Sequence, residues 1–259
     1  MAVLTEVCVD SAAGVRIAAA AGADRVELCM ALEVGGVTPS IGLLEPAVES
    51  AADTGIAVHV LIRPRPGDFV YRRDEIDVMG TDVVAALRAG ADGVVIGALT
   101  VDGAVDIGTT TRLVAAAAGC NVASSVTFHR AFDVSADPFA ALDALRRSGI
   151  HRVLTSGQAS SALAGAELLA ALVRSATDDP EPLSILAGGG IRPDTVGELL
   201  QRTGVSEVHF SGRRSVDSPM LHRNRSVAMG NSAGDADRRG ITDPELVQAT
   251  VAAVRAAGR

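Results

Sequence analysis

The stretch VTFHRAFD, residues 126–133, opens with the apolar alternation of a β-strand and then places His129, Arg130 and Asp133 within five positions. Imidazoles and carboxylates are the groups that move protons, and a guanidinium holds anions through paired hydrogen bonds. The same loading recurs at other strand-like runs, in Glu6 and Cys8, Glu27 and Cys29, His59 and Arg63, and His209. Glu27, His59 and His129 are candidate acid/base groups. Glu6 and Glu27 suit a metal-binding or acid/base pair, or an internal salt bridge to an arginine such as Arg63. Cys8 and Cys29 each follow one of these glutamates by two residues, and two convergent thiols suit a soft ion such as copper(I); a free cysteine is also a small buried hydrophobe. Cys120, near a helix end, is expected to be structural, and His151 and His222 fall off the pattern.

A second set of residues points to anions. The segments LIRPRPGDF (61–69), LTSGQ (154–158), LAGGGIRPD (186–194) and HFSGRR (209–214) follow the third, sixth, seventh and eighth strand-like runs. Glycine-rich backbone after the last two strands is the usual phosphate cradle of a barrel enzyme. The expected ligand-binding residues are Glu6, Arg63, Arg65, Asp68, Arg130, Asp133, Ser156, Gly157, Gly189, Gly190, Arg192, His209, Ser211 and Gly212. Arg213 is a further candidate for bidentate anion contacts.

Positioning these residues requires a repeating frame. Strand-like runs at 3–9, 24–29, 57–63, 92–97, 124–130, 152–156, 183–188 and 206–211 alternate with helical stretches at 11–21, 40–53, 75–89, 107–118, 138–148, 162–176, 194–203 and 244–257. Pro138, Pro193 and Pro244 stand where a first helical turn tolerates proline, each beside an aspartate. GADRVEL (22–28), GADGVVI (90–96), GIHRVLT (149–155) and GVSEVHF (204–210) form a weak repeat, led by a glycine that can end a helix. Eight alternating pairs predict a single-domain α/β protein spanning 1–259, a (β/α)8 TIM-type barrel. A flexible loop is expected at about 213–243, before the last helix; an open doubly wound sheet is the alternative. Strand alternation turns Glu6, Cys8, Glu27, Cys29, His59, His129 and His209 inward, where burial without partners is costly.

Composition narrows the function. Net charge is −8 and aromatics are 2%, with no Trp, which argues against nucleic-acid partners and membrane-interface belts. All 23 basic residues are arginine, so Schiff-base chemistry, which needs a lysine amine, is excluded. Three cysteines are too few for a disulfide scaffold, and no apolar run reaches a membrane span. Cytoplasmic location is expected, with no membrane partner; association with further copies of the chain is left open.

VELC (26–29), EVGGVTPS (33–40), HVLIRPRPGDFVY (59–71), TFHRAFD (127–133), RVLTSGQ (152–158) and VHFSGR (208–213) resemble motifs of the CutC family of copper homeostasis proteins. The likeness runs from EVCVDS (6–11) to SPMLHRN (218–224). It implies a TIM-type barrel and cytoplasmic copper tolerance, trafficking or copper(I) binding, with Cys8 and Cys29 as the ligands. Two functional expectations therefore stand: copper(I) binding, and an enzyme acting on a small anionic or phosphorylated metabolite at the C-terminal barrel mouth.

Overall fold

The glycine-led repeat marks where helices become strands. Gly22, Gly90, Gly149 and Gly204 all have positive φ (78°, 99°, 76° and 68°), a conformation that costs an L side chain energy and glycine little. Two residues further on, the repeat pins a neighbouring strand. Asp24 Oδ2 accepts from the Thr5 N–H (2.8 Å), Asp92 Oδ2 from the Val58 N–H (2.8 Å) and His151 Nδ1 from the Val126 N–H (3.1 Å). His151, off the functional pattern, thus ties the start of a strand.

The computed structural model describes residues 2–120, 124–177, 183–222, 224, 226 and 237–258. Within them, parallel strands β1 (Leu4–Val9), β2 (Arg25–Leu28), β3 (Ala57–Leu61), β4 (Gly93–Ile96), β5 (Ser125–Phe128), β6 (Arg152–Thr155), β7 (Ser184–Gly188) and β8 (Glu207–Phe210) close into a barrel, β8 pairing with β1. The open-sheet alternative is therefore out. Helices α1 (Ala12–Ala20), α2 (Ile41–Ala52), α3 (Arg73–Arg88), α4 (Ile107–Cys120), α5 (Pro138–Arg147), α6 (Ala166–Thr177), α7 (Val196–Thr203) and α8 (Pro244–Ala257) follow the strands in turn. No helix among the described residues is long and apolar enough to cross a membrane.

Asp137 and Asp243 cap α5 and α8 through backbone N–H groups, with Pro138 and Pro244 at the first helical positions. Pro193 opens the turn that leads into α7, whose first bonds run from the Thr195 and Val196 N–H to the Arg192 carbonyl. The stretch 213–243 differs from a plain loop: β9 (Arg213–Asp217) and β10 (Arg238–Thr242) pair antiparallel at its two ends. The middle of that stretch lies outside the described residues.

The barrel wall separates two apolar clusters. Outward residues such as Val7, Val26, Leu28, Val60, Ile96 and Phe128 pack against Leu44, Val83, Leu113, Leu142, Leu169 and Val251 of the helices. Each such side chain contributes roughly 1.5–3 kcal/mol by leaving water. Inside the lumen, Cys8, Cys29, Leu61 and Val95 form the smaller apolar group. Much of the remaining interior is ionic. Glu6 pairs with Arg25, Arg25 Nη2 lies 2.7 Å from Glu207 Oε2, and Arg152 Nε lies 2.6 Å from the same oxygen.

Arg25→Met would leave the Glu6 carboxylate short of a counter-charge in a closed interior, while Glu207 keeps Arg152. Breaking a buried pair in this way costs about 3–5 kcal/mol. Urea unfolding should show that loss at pH 7 and a smaller one near pH 4, where the stranded Glu6 carboxylate can take up a proton.

Candidate functional site

Glu6, Glu27, His59, His129 and His209 all come from the inward face, and all but His209 are nearly fully buried. They do not form one group. Glu6, Glu27 and His209 meet on the β1/β2/β8 side. His59 lies in the lumen outside the cavity wall, and His129 stands at the mouth beside Arg63.

The first group is built upward from the ionic floor. Burial would raise the Glu6 carboxyl, but Arg25 and a hydrogen bond from His209 overcome it and hold Glu6 well below the usual carboxylate range. The salt-bridge partner of Glu6 is thus Arg25, which sequence reasoning missed, and not Arg63. Glu6 Oε1 sits 2.7 Å from His209 Nδ1, orienting the ring so that Nε2 lies 3.8 Å from Glu27 Oε2. Burial would lower His209, yet its bonds to Cys8 and Glu6 and the nearby Glu27 raise it well above the ordinary imidazole value.

Cys8 Sγ is 3.5 Å from Cys29 Sγ, and Cys29 Sγ is 3.3 Å from Glu27 Oε2. A hydrogen bond from Cys29, together with His209, brings the Cys8 thiol down to about 5 against the effect of burial. Cys29 moves the opposite way, raised by burial and by the Cys8 thiolate it serves. Burial and the Cys8 thiolate push the Glu27 carboxyl up to about 8. Cys8, Glu27 and His209 offer one donor atom each within 4.8 Å of one another. A thiolate, an imidazole and a carboxylate at this spacing can hold a metal ion. The line Cys8–His209–Glu6 also has the relation of thiol, base and orienting carboxylate.

These three residues lie at the wall of a cavity of about 840 Å³ that opens between the strand ends. Arg63, Phe69, His129, Arg130 and Leu154 line another part. The Gly189–Asp194 and Ser211–Arg213 segments, with Leu246 and Thr250 of α8, complete it. The expected contributions of Arg63, Arg130, Gly189, Gly190, Arg192, His209, Ser211 and Gly212 are therefore placed at one cavity. Arg213, also at the wall, is engaged by Asp10 (3.0 Å) and Glu33 (3.4 Å).

Other expected residues are placed elsewhere. Arg65 binds Glu75 (2.6 Å) and Asp68 (3.0 Å), bracing the loop after β3 away from the cavity wall. Asp133 accepts from Thr155 Oγ1 (2.5 Å), the Ser156 N–H (3.0 Å), Ser156 Oγ (3.0 Å) and Arg130 Nε (2.7 Å). Its oxygens, and Ser156 with them, are spent on holding the loop after β6. Gly157 is there for space, since a Cβ would stand 2.4 Å from the Gly165 carbonyl oxygen. His59 is driven by burial to about 3, is neutral, and its Nδ1 has no partner. His129 is likewise pushed down to about 3, by burial and by Arg63. Neither fits a proton carrier at neutral pH; of the three acid/base candidates, Glu27 alone titrates near it. Cys120 is exposed, at the end of α4.

Arg25 and Arg152 were legible by alternation, two residues before Glu27 and before Leu154, but a lumen carrying arginines is not the default for a barrel. Phe69, Leu246 and Thr250 carry no local signal, because loop and helix packing brings them to the cavity.

The profile of the CutC family matches residues 3–214. This chain belongs to the CutC family. A CutC protein of Mesorhizobium japonicum is 45% identical over 254 residues, covering 98% of this chain and 95% of that protein. The human protein named "Copper homeostasis protein cutC homolog" is 46% identical over 229 residues, 88% of this chain and 80% of its own length. The crystal structure of the putative copper homeostasis protein CutC from Streptococcus agalactiae superposes with TM-score 0.75 at 32% identity, over 81% of this chain and 98% of that one. Phosphoribosylanthranilate isomerase of Pyrococcus furiosus shares the barrel at TM-score 0.56 and 15% identity, over 98% of this chain and 99% of its own. That likeness is one of fold alone.

The two thiols should separate by reactivity. In a Cys120→Ala background, iodoacetamide should modify Cys8 with a rate that climbs through about pH 5 and levels above it, while Cys29 stays largely unmodified. His209→Gln should move the midpoint upward by roughly one unit or more. Mass spectrometry of each peptide reads both; a Cys8 rate that rises only above pH 8 would contradict the assignment.

Proposed function

We propose that this CutC-family chain binds copper(I) as cargo at its barrel mouth and serves copper homeostasis in the cytoplasm. The observation that carries this reading is the closeness of the two thiols, 3.5 Å, beside the Cys8–Glu27–His209 donor set at the cavity wall. Copper(I) is soft and prefers thiolate. Cys8 is already the more acidic thiol, and the donors suit a soft ion better than a hard one. The name of the human relative supports the same role. Three unpaired cysteines fit a reducing compartment.

Anaerobic titration of copper(I) against a chromophoric chelator tests the proposal. The wild type should take up one equivalent, and Cys8→Ser/Cys29→Ser should bind about 100-fold more weakly, since thiolates dominate a soft-ion site. Equal weak binding by both proteins would remove thiolate ligation. The pH dependence identifies the ligands. Above about pH 5, Cys8 has no proton to lose, whereas Cys29, His209 and Glu27 are each held protonated at neutral pH. Affinity between pH 6 and 7.5 should rise about tenfold per pH unit for each of these three that becomes a ligand.

A second reading is favoured by one observation, the cavity volume. About 840 Å³ is far more than one ion fills and falls in the range of small-molecule pockets. In this reading the mouth accepts a small anionic metabolite, with arginines on its wall.

A further inference from the structure

Arg63 is buried on the cavity wall, and its charge meets no carboxylate among the described residues. Its Nη1 donates to the carbonyls of Val34 (3.1 Å) and Gly36 (2.9 Å), and its Nη2 to that of Gly67 (2.8 Å). Nε has no hydrogen-bond partner. The guanidinium lies 4.9 Å from the centre of the Phe69 ring, and the Tyr71 hydroxyl stands beside it, made less acidic by burial and partly restored by the Arg63 charge and side-chain contact.

His129 packs against the same Phe69, ring centres 5.0 Å apart. Its Nδ1 accepts from the Ala131 N–H (3.1 Å), so the neutral ring carries its proton on Nε2. That donor is also unpartnered and buried. The cavity wall therefore holds a cation without a counter-ion and a neutral donor without an acceptor, set around one aromatic ring. Buried charges and donors are costly to leave in this state, and a single group compensates both: an anionic oxygen.

We propose that Arg63 and His129 form the subsite that receives the oxyanion, carboxylate or phosphate, of a small molecule occupying the cavity. This deepens the second reading and rests on it, independently of copper. It gives His129 a new role, that of a fixed neutral donor next to a fixed cation, and makes the ligand two-ended. Its anionic end meets Arg63 and His129, and the rest of the molecule extends toward Cys8, Glu27 and His209. Arg130 is a different anchor. It leans on Asp133 and Ser156 and stands beside the Gly189 backbone, where a Cβ would be 3.6 Å from its Cζ.

Sulfate, inorganic phosphate and acetate, titrated separately into the full chain by calorimetry and thermal shift, test the subsite and distinguish tetrahedral from planar oxyanions. The wild type should bind at least one of them in the millimolar range. Arg63→Gln and His129→Phe should each weaken that anion by about tenfold or more, as expected for loss of a charge-assisted or buried hydrogen bond, while Arg202→Gln, whose side chain pairs with Glu198 on the outside of α7, stays within about twofold. His129→Phe keeps the ring packing on Phe69, so it decides the matter if Arg63→Gln does not fold. Loss on Arg130→Gln with retention in Arg63→Gln and His129→Phe would overturn the subsite and leave the second reading standing at the Gly189 backbone. No binding of any of the three by the wild type at tens of millimolar would overturn both.

Discussion

One buried carboxylate governs the interior of this barrel. Glu6 takes the Arg25 guanidinium with one oxygen and the His209 imidazole with the other. Without the arginine, a carboxylate enclosed by strands would take up a proton rather than stay charged. With it, Glu6 remains ionised and fixes both the orientation and the charge of His209. That imidazolium in turn helps hold Cys8 as a thiolate. The acidity of the cysteine at the mouth is thus set partly by an ion pair on the floor, and Arg152 and Glu207 extend the pair across the lumen. Replacing such ionic cores by apolar residues often leaves stability unchanged or improved. The value of this one lies in where it puts His209.

The cavity above is chemically asymmetric. On one wall, Cys8, Cys29, Glu27 and His209 share protons among four groups whose affinities are displaced in opposite directions by one another. On the other, Arg63 and His129 offer a permanent cation and a neutral donor that does not titrate near physiological pH. A soft cation suits the first wall and an oxyanion the second. The two proposed readings therefore draw on different residues of one mouth, which is why variants at Cys8 and at Arg63 can separate them.

Much of the frame was legible. Every strand and helix inferred from alternation and helical stretches is present, because a closed parallel barrel demands outward apolar residues on each strand and a helix to cover them. The glycines at 22, 90, 149 and 204 mark strand entries for a local steric reason. Asp133 shows the opposite case. Its type and position suggested a ligand contact, yet besides Arg130 its donors come from the end of β6 and the loop after it, and no pattern within TFHRAFD announces that. The paired strands around 213–217 and 238–242 were equally hidden, since polar and glycine-containing runs read as loop until each finds a partner.

The sequence alone determined the barrel, the inward set of thiols, carboxylates and imidazoles, and the family. These follow from period-two alternation and ordered motifs, which are local properties of the chain. Tertiary structure decided which inward groups meet. Glu6 and His209 are 203 residues apart in the chain and come together only because β8 closes against β1. Arg63 meets carbonyls and no carboxylate among the described residues because the loops around it turn their backbone toward it. Protonation, charge and ligand preference depend on those distances, and distance across a closed lumen is not written in the order of residues.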